Sequence, residues 1–491
     1  MSLSFDPDTV ELPRGHYIGG RYRPAPEGLT LYRPSDGEAF ADCPVAEAEL
    51  VDEAVRTARA ALASSGWASS RPRERVKVMH RWADLMEAEA TTLARLEAVS
   101  STRPIGELVD GDIAVTAEQI RFFAEMADKE GGDLAPTAEH QLGLIMDEPY
   151  GVVGAIAPWN FPISMAGWKL GPALAAGNAV IFKPSEMTPF SSLFMVELAE
   201  RAGLPKGLVN VVLGDGAMTG NAITGHPDIA KISFTGSTAA GQSIMANIAR
   251  SGMKPMTLEL GGKSPQIVFA DADLDLAANC IAQSIMANAG QACVAGSKIV
   301  VESSVEEALV SAIGRRMADV RPGPTWAAET SFSPIISRKQ IERIDGLVRK
   351  TVSGGASVLV GGEPMDRPGF FYKPTILAGV TEQAPAVVEE VFGPVLTVQP
   401  FEEEEEAVAL ARHPTYGLAA GLYTRDLSRA IRVLKRIEAG TVWVNRYGRS
   451  RDHILPTGGY KSSGIGKDLG RAAYRANRRQ KSVLIDLATA P

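Results

Sequence analysis

Cys293 stands in the run Met286-Ala-Asn-Ala-Gly-Gln-Ala-Cys293-Val-Ala-Gly-Ser-Lys298, among small residues, with one glycine three places before it and another three after. A thiol attacks as the thiolate, and at an ordinary pKa of about 8.5 only a few per cent is ionised at neutral pH. A working cysteine therefore needs a helix N-terminus, nearby amides or a base. Gly290 and Gly296 let backbone approach whatever the sulfur attacks. Most free cysteines are small buried hydrophobes, so this run alone leaves both uses open.

Upstream, Met256-Thr-Leu-Glu259-Leu-Gly261-Gly262-Lys-Ser-Pro265 sets one carboxylate in an apolar, strand-like run that ends on paired glycines. Burial would disfavour its charged form and move its pKa toward neutrality, which suits a base that collects a proton from water. On an edge strand the same residue would face solvent. In Pro158-Trp159-Asn160-Phe161-Pro162 an uncharged amide sits between two prolines. Such an amide donates to a developing oxyanion without being a competing acid, or else stabilises a turn.

Together, residues 158–162, 259–263 and 290–297 resemble the aldehyde dehydrogenase superfamily. Phe234-Thr-Gly236-Ser237-Thr238, Lys183-Pro-Ser-Glu186, Glu389-Glu390-Val-Phe392-Gly393-Pro394 and Gly458-Gly459-Tyr460-Lys461-Ser-Ser-Gly464 also look like that family, and in its order. The resemblance spans about residues 17 to 487. It implies an α/β fold: a Rossmann-type parallel-sheet cofactor domain (1–130 and 150–260), a second α/β catalytic domain (261–461), and a small β oligomerisation arm (131–149 and 478–491).

For the chemistry, the resemblance implies an NAD-dependent oxidation of an aldehyde to its acid, with NADP as the alternative cofactor. Cys293 would be the nucleophile, Asn160 the oxyanion donor and Glu259 the base that activates water. Gly214-Asp-Gly216-Ala-Met-Thr-Gly220 has one residue too many for the dinucleotide fingerprint GxGxxG. The resemblance instead places Gly236 and Ser237 at a strand end opening a helix whose N-terminus meets the pyrophosphate. Lys183 and Glu186 fall at the adenosine ribose, where a carboxylate accepts from the hydroxyls and repels a 2′-phosphate. Glu390 and Phe392 fall at the nicotinamide ribose and ring. Ile156, Pro158, Trp159, Ser185, Gly216, Phe234 and Leu260 complete the expected cofactor set. Phe161, Trp168, Arg446, Arg449, Arg451 and Thr457 form the expected substrate set, and Lys169 looks like a lysine that orders the region.

The chain has 491 residues, too many for one simple core. Hydrophobic content of 45%, charged content of 22% and 48 glycines describe an ordinary α/β protein. A net charge of −8 with no basic stripe argues against a nucleic-acid surface. Cys43, Cys280 and Cys293 lack paired or metal-ligand spacing, so neither disulfides nor a metal site is expected. No apolar run reaches the roughly 18–20 residues of a membrane span, and no N-terminal signal is visible, which leaves the cytoplasm as the expected location.

Apolar spacing of three and four predicts helices over 46–64, 71–99 and 113–129. Residues 131–149 read as a strand excursion that the final apolar run, 482–487, could pair with; in the family such an arm docks on another subunit, implying a homodimer or homotetramer. From 150 to 275, short apolar runs (151–157, 179–182, 209–213, 229–234) alternate with helical ones (162–176, 189–202, 238–250), the rhythm of a parallel sheet. Thr188-Pro189 marks a helix start with proline at its first position. Further helices are expected over 274–288 and 305–320, and strands over 357–360, 394–400 and 440–444. The acidic run 402–406 reads as the solvated start of a helix.

Compared with the commoner pattern of the family the chain resembles, Ala292 and Val294 flank the cysteine and Ala287 stands where many relatives carry an aromatic, so the resemblance implies a roomier inner wall. Asn445-Arg446-Tyr447-Gly-Arg449-Ser-Arg451-Asp452-His453 would attract an anion, such as the carboxylate of a semialdehyde. It equally reads as a solvated or intersubunit loop in which Arg451 pairs with Asp452. Competing functions are a relative that passes its thioester to coenzyme A or runs reductively, for which a water-activating Glu259 is of little use, and a binding or structural protein that has kept the fold without turnover.

Overall fold

The computed structural model describes residues 3–25, 28–450 and 452–487. Its first sheet has eight strands, in the order Arg21–Arg23, His16–Ile18, Val209–Val211, Ala179–Lys183, Val152–Ile156, Lys231–Thr235, Met256–Glu259 and Gly464–Ile465. The inner strands run parallel. Val152–Ile156, Ala179–Lys183 and Lys231–Thr235 are buried along their whole length, which is why they read as continuous rather than alternating apolar runs. Helices on both faces supply the cover, with Trp82, Phe123 and Phe182 among the largest side chains in this core.

The second sheet has seven strands, in the order Ser357–Val360, Thr375–Ala378, Val395–Phe401, Lys298–Glu302, Pro265–Val268, Ala419–Tyr423 and Thr441–Val444. It is parallel except at the Ser357–Val360 edge. The chain crosses from the first sheet to the second between Glu259 and Pro265, so the paired glycines Gly261 and Gly262 sit in the crossover. After the second sheet it returns: Gly464 pairs opposite Glu259, and the helix Gly470–Ala476 packs on Pro162–Ala175. A third sheet pairs Gln141–Pro149 with Arg478–Asp486 and with Asp133–Ala135. Pairing of the last apolar run with the 131–149 excursion thus runs from Arg478 opposite Pro149 to Asp486 opposite Gln141. Residues 488–491 of the expected arm lie outside the described residues. Among the described residues no helix is long and apolar enough to cross a membrane.

Several element boundaries differ from expectation. The predicted helix over 71–99 is two helices, Pro72–Ala88 and Ala90–Ser100, separated at Glu89 (φ −101°, ψ 18°). Apolar periodicity continues across that break, so the pattern does not show it. The helix over 274–288 stops at Met286, because Asn288 takes φ 50° and cannot continue a right-handed helix. Pro189 caps its helix instead of opening it; the helix begins at Phe190. The acidic run does start a helix, Glu404–Ala411, and is exposed except at half-buried Glu404, which pairs with Arg432 and Arg429, while exposed Glu405 pairs with Arg436.

Candidate active site

A cavity of about 470 Å³ is lined from both halves of the molecule. Cys293, Glu259 and Asn160 all face it, although they lie on three different connections: after Met286, at the end of Met256–Glu259, and between Val152–Ile156 and Pro162–Ala175.

The loop that carries Cys293 is held in an uncommon shape. Asn288, Ala289 and Gly290 have φ of 50°, 50° and 72°, three successive left-handed residues. Left-handed backbone in alanine is costly and persists only where the surroundings dictate it. Here a buried amide network does so. Thr102 Oγ1 donates to Asn288 Oδ1 at 2.6 Å, and Asn288 Nδ2 donates to the Asn160 carbonyl at 2.8 Å. Gln291 Nε2 donates to the carbonyls of Asn288 and Pro334, both at 2.9 Å, while Ile336 N–H donates to Gln291 Oε1. At Gly290 an added Cβ would lie 2.2 Å from the Gly393 carbonyl oxygen. Gly290→Ala is therefore expected to cost about 2 kcal/mol or more of stability and to displace Cys293. Thermal melting and turnover, measured on the same preparation, should both fall; an unchanged melt would show that the loop is softer than this geometry.

Asn160 Nδ2 donates to the Gln291 carbonyl at 2.9 Å, which settles which end of the amide carries the protons and leaves its second proton free. Cys293 is half-buried and opens to the cavity. Burial pushes its thiol up to about 11, against the opposing pull of the Arg449 guanidinium. The free thiol is thus protonated at neutral pH, and a base must remove that proton. Glu259 is 5% exposed, and its Oε1 has no hydrogen-bond partner among the described residues. Burial first, then Asp468, push its carboxyl up to about 8, with Lys169 pulling the other way. Lys169 and Asp468 form a fully enclosed pair at 2.6 Å. A carboxyl held near neutrality beside such a pair is poised to accept and release a proton.

The groups along the cavity and beyond it fit a dinucleotide. Glu390 Oε1 accepts from the Gly262 N–H at 3.0 Å, and a Cβ on Gly261 would meet Glu390 Oε2 at 2.4 Å, so the glycine pair makes room for this carboxylate. Gly236 and Ser237 line the cavity at the N-terminus of the helix Thr238–Ser251, where Ser237 Oγ accepts from Ala240 N–H. A Cβ on Gly236 would strike the Phe234 ring at 2.4 Å. Lys183, buried, reaches Glu186 at 3.4 Å. Two carboxylates suit two ribose diols, and a helix N-terminus suits a phosphate.

Of the expected residues, Pro158, Trp159, Phe161, Trp168, Leu260, Phe392 and Arg449 also line the cavity, with Trp159 edge-on to Phe392 at 5.4 Å. Ile156, Lys183, Ser185, Glu186 and Phe234 lie off its wall, toward the strand ends of the first sheet, and Gly216 is exposed at the start of the short π-helix Gly216–Gly220. Arg446 is exposed and off the wall, whereas Thr457 is buried and bonded to Arg449. Arg451 lies outside the described residues. Sequence reasoning missed Met165, Gln340, Arg343 and Tyr447 on the wall, and Asp468 behind Glu259. Met165 was findable: with Phe161 and Trp168 it makes one helical face at i, i+4 and i+7. Gln340 and Arg343 stand on the otherwise ordinary amphipathic helix Arg338–Ser353 and carry no local signal.

A thiol, a buried carboxylate and a fixed amide facing one cavity on a two-sheet α/β frame define the class: a protein equipped for covalent acyl chemistry. Residues 23–483 match the model of the aldehyde dehydrogenase family, and the chain belongs to that family. An aldehyde dehydrogenase of Alternaria alternata is 40% identical over 479 residues, covering 97% of this chain and 96% of the relative. The NAD+ complex of an aldehyde dehydrogenase from Bacillus cereus is similar at TM-score 0.96 and 39% identity, over 99% of this chain and 100% of that one. An indole-3-acetaldehyde dehydrogenase mutant of P. syringae, in complex with NAD+ and IAA, is similar at TM-score 0.96 and 37% identity, over 98% of each chain.

Proposed function

We propose that this protein oxidises an aldehyde to its carboxylic acid with NAD, through a thiohemiacetal and then a thioester on Cys293. The observation that carries this is the convergence of Cys293, Glu259 and Asn160 on one cavity that Glu390 and Phe392 also line. Ionised Glu259 takes the thiol proton as the sulfur adds to the carbonyl carbon. The alkoxide is stabilised by the free Asn160 amide proton and the Cys293 backbone N–H. Bound nicotinamide supplies the acceptor for the hydride that leaves this carbon, and the thioester results. Glu259 releases the thiol proton to solvent through the cavity it lines, and, ionised again, draws a proton from water as the water attacks the thioester, with Cys293 departing as thiolate. Lys169 and Asp468 hold the charge balance behind Glu259 while the proton moves.

An NADH absorbance assay over a panel of aldehydes tests the reading; no absorbance with any aldehyde would overturn it. Because Glu259 works as base only when ionised and its pKa is raised to about 8, thioester hydrolysis should climb with pH, about tenfold per unit below that value and level above it. A flat profile of the hydrolytic half-reaction between pH 6 and pH 9 would remove Glu259 from this role.

Glu186 supports NAD over NADP, through repulsion of a 2′-phosphate. The three-stranded arm exposes Leu134 (73%), Leu484 (61%) and Leu487 (58%), apolar surface suited to a second copy of the chain. A homodimer or homotetramer built through this arm is the assembly we expect, and light scattering of the purified protein tests it. Three free thiols suit a reducing compartment such as the cytoplasm.

A further inference from the structure

The loop after Thr441–Val444 places one cation on the cavity wall. The structure separates the arginines of that loop: Arg446 is exposed off the cavity, and Arg449 lines it. The Arg449 guanidinium lies over the Trp168 ring, 4.9 Å from its centroid, and Nη2 donates to Thr457 Oγ1 at 3.0 Å. That is its one hydrogen bond among the described residues. Nε is buried with no acceptor, and among the described residues no carboxylate lies within ion-pair distance of the group, although its charge acts on Glu259 across the cavity. Arg103 makes the contrast. It stacks on Phe161 at 4.7 Å in a similar way, but Glu107 and Asp112 neutralise it.

A partly buried guanidinium with unfilled donors is costly unless something arrives to accept from it. Stacking on Trp168 and the bond to Thr457 fix its plane in advance, and a planar fork of N–H groups matches a carboxylate. Besides the reacting groups, the same cavity offers apolar wall from Phe161, Met165, Ala292 and Val294, which suits a short methylene chain. We propose that Arg449 receives a carboxylate at the far end of the substrate, making the preferred substrates short aldehydes with a terminal carboxylate. Cys293 and Arg449 share a cavity of about 470 Å³ that must also admit the nicotinamide, so few carbons separate the two ends. This inference rests on the aldehyde-oxidising function proposed above.

The test compares kcat/KM for a carboxylate-bearing aldehyde and a neutral aldehyde of equal length, in the wild type, Arg449→Met and Arg449→Lys. The wild type should favour the anionic aldehyde by roughly 10- to 100-fold, the range of one charged hydrogen-bonded pair. In Arg449→Met that ratio should collapse toward one, through KM of the anionic substrate. Arg449→Lys should recover part of it, since charge returns without the fork. A measurement on the wild type alone covers failure of the variants to fold: a saturated dicarboxylate should compete with the aldehyde, and a monocarboxylate of equal length should compete at least tenfold more weakly. Turnover of the neutral aldehyde with no anionic preference, or equal loss of both substrates in Arg449→Met, would overturn the subsite and leave aldehyde oxidation standing. No turnover of either aldehyde would overturn the oxidation reading itself.

Discussion

Cys293→Ala is expected to abolish turnover, lowering kcat by about 10⁴-fold or more, because no other group at the cavity can form the covalent intermediate. Cys43 and Cys280 are buried and off the cavity wall, so neither offers a substitute sulfur. The substitution removes one atom that opens onto the cavity and leaves the Asn288 and Gln291 network intact, since neither side chain bonds to the sulfur. NAD binding, followed by calorimetry or quenching of protein fluorescence, should stay within about twofold of wild type. Residual turnover above roughly one per cent would mean that the thiol is not the nucleophile.

Glu259→Gln should give a burst of about one NADH per active site followed by a stall, with steady-state turnover reduced by about 10²- to 10⁴-fold. Glutamine keeps the volume and the buried position but cannot take a proton from water, so the thioester accumulates. The burst itself should be slower than in wild type, because the thiol is pushed up to about 11 and loses the base proposed to take its proton. The rise in rate through about pH 8 should vanish with the carboxyl. Removing a carboxylate that Asp468 already disfavours should leave thermal stability unchanged or slightly raised, so lost activity cannot be ascribed to unfolding. Rapid-mixing absorbance separates the two phases, and unimpaired steady-state turnover would place the base elsewhere.

The reacting groups were legible in the sequence because each needs a particular side chain in a local setting that leaves a trace. Cys293 lies between glycines, Glu259 ends an apolar strand before a glycine pair, and Asn160 lies between prolines. Parallel strands buried on both faces show as unbroken apolar runs, and helices show as three- and four-residue spacing. These are properties of a few adjacent residues, and adjacency is what a sequence records. The anion reading of the 446–451 loop was legible only as a composition, three arginines in six positions.

Long-range pairing and the protonation of the site lay beyond it. Thr102 and Asn288 are 186 positions apart, and Lys169 and Asp468 are 299 apart; no local pattern joins them, yet the first pair braces the Cys293 loop and the second sets the charge behind Glu259. The left-handed turn that ends the helix at Met286 is likewise imposed by contacts from elsewhere in the chain. By itself, then, the sequence determined which side chains are available for chemistry and which stretches are strand or helix, because local sterics and periodicity decide those. Tertiary structure alone decided how far burial moves the pKa values of Cys293 and Glu259, and that Arg449 rather than Arg446 reaches the cavity, because desolvation and charge pairing depend on what folds around a group.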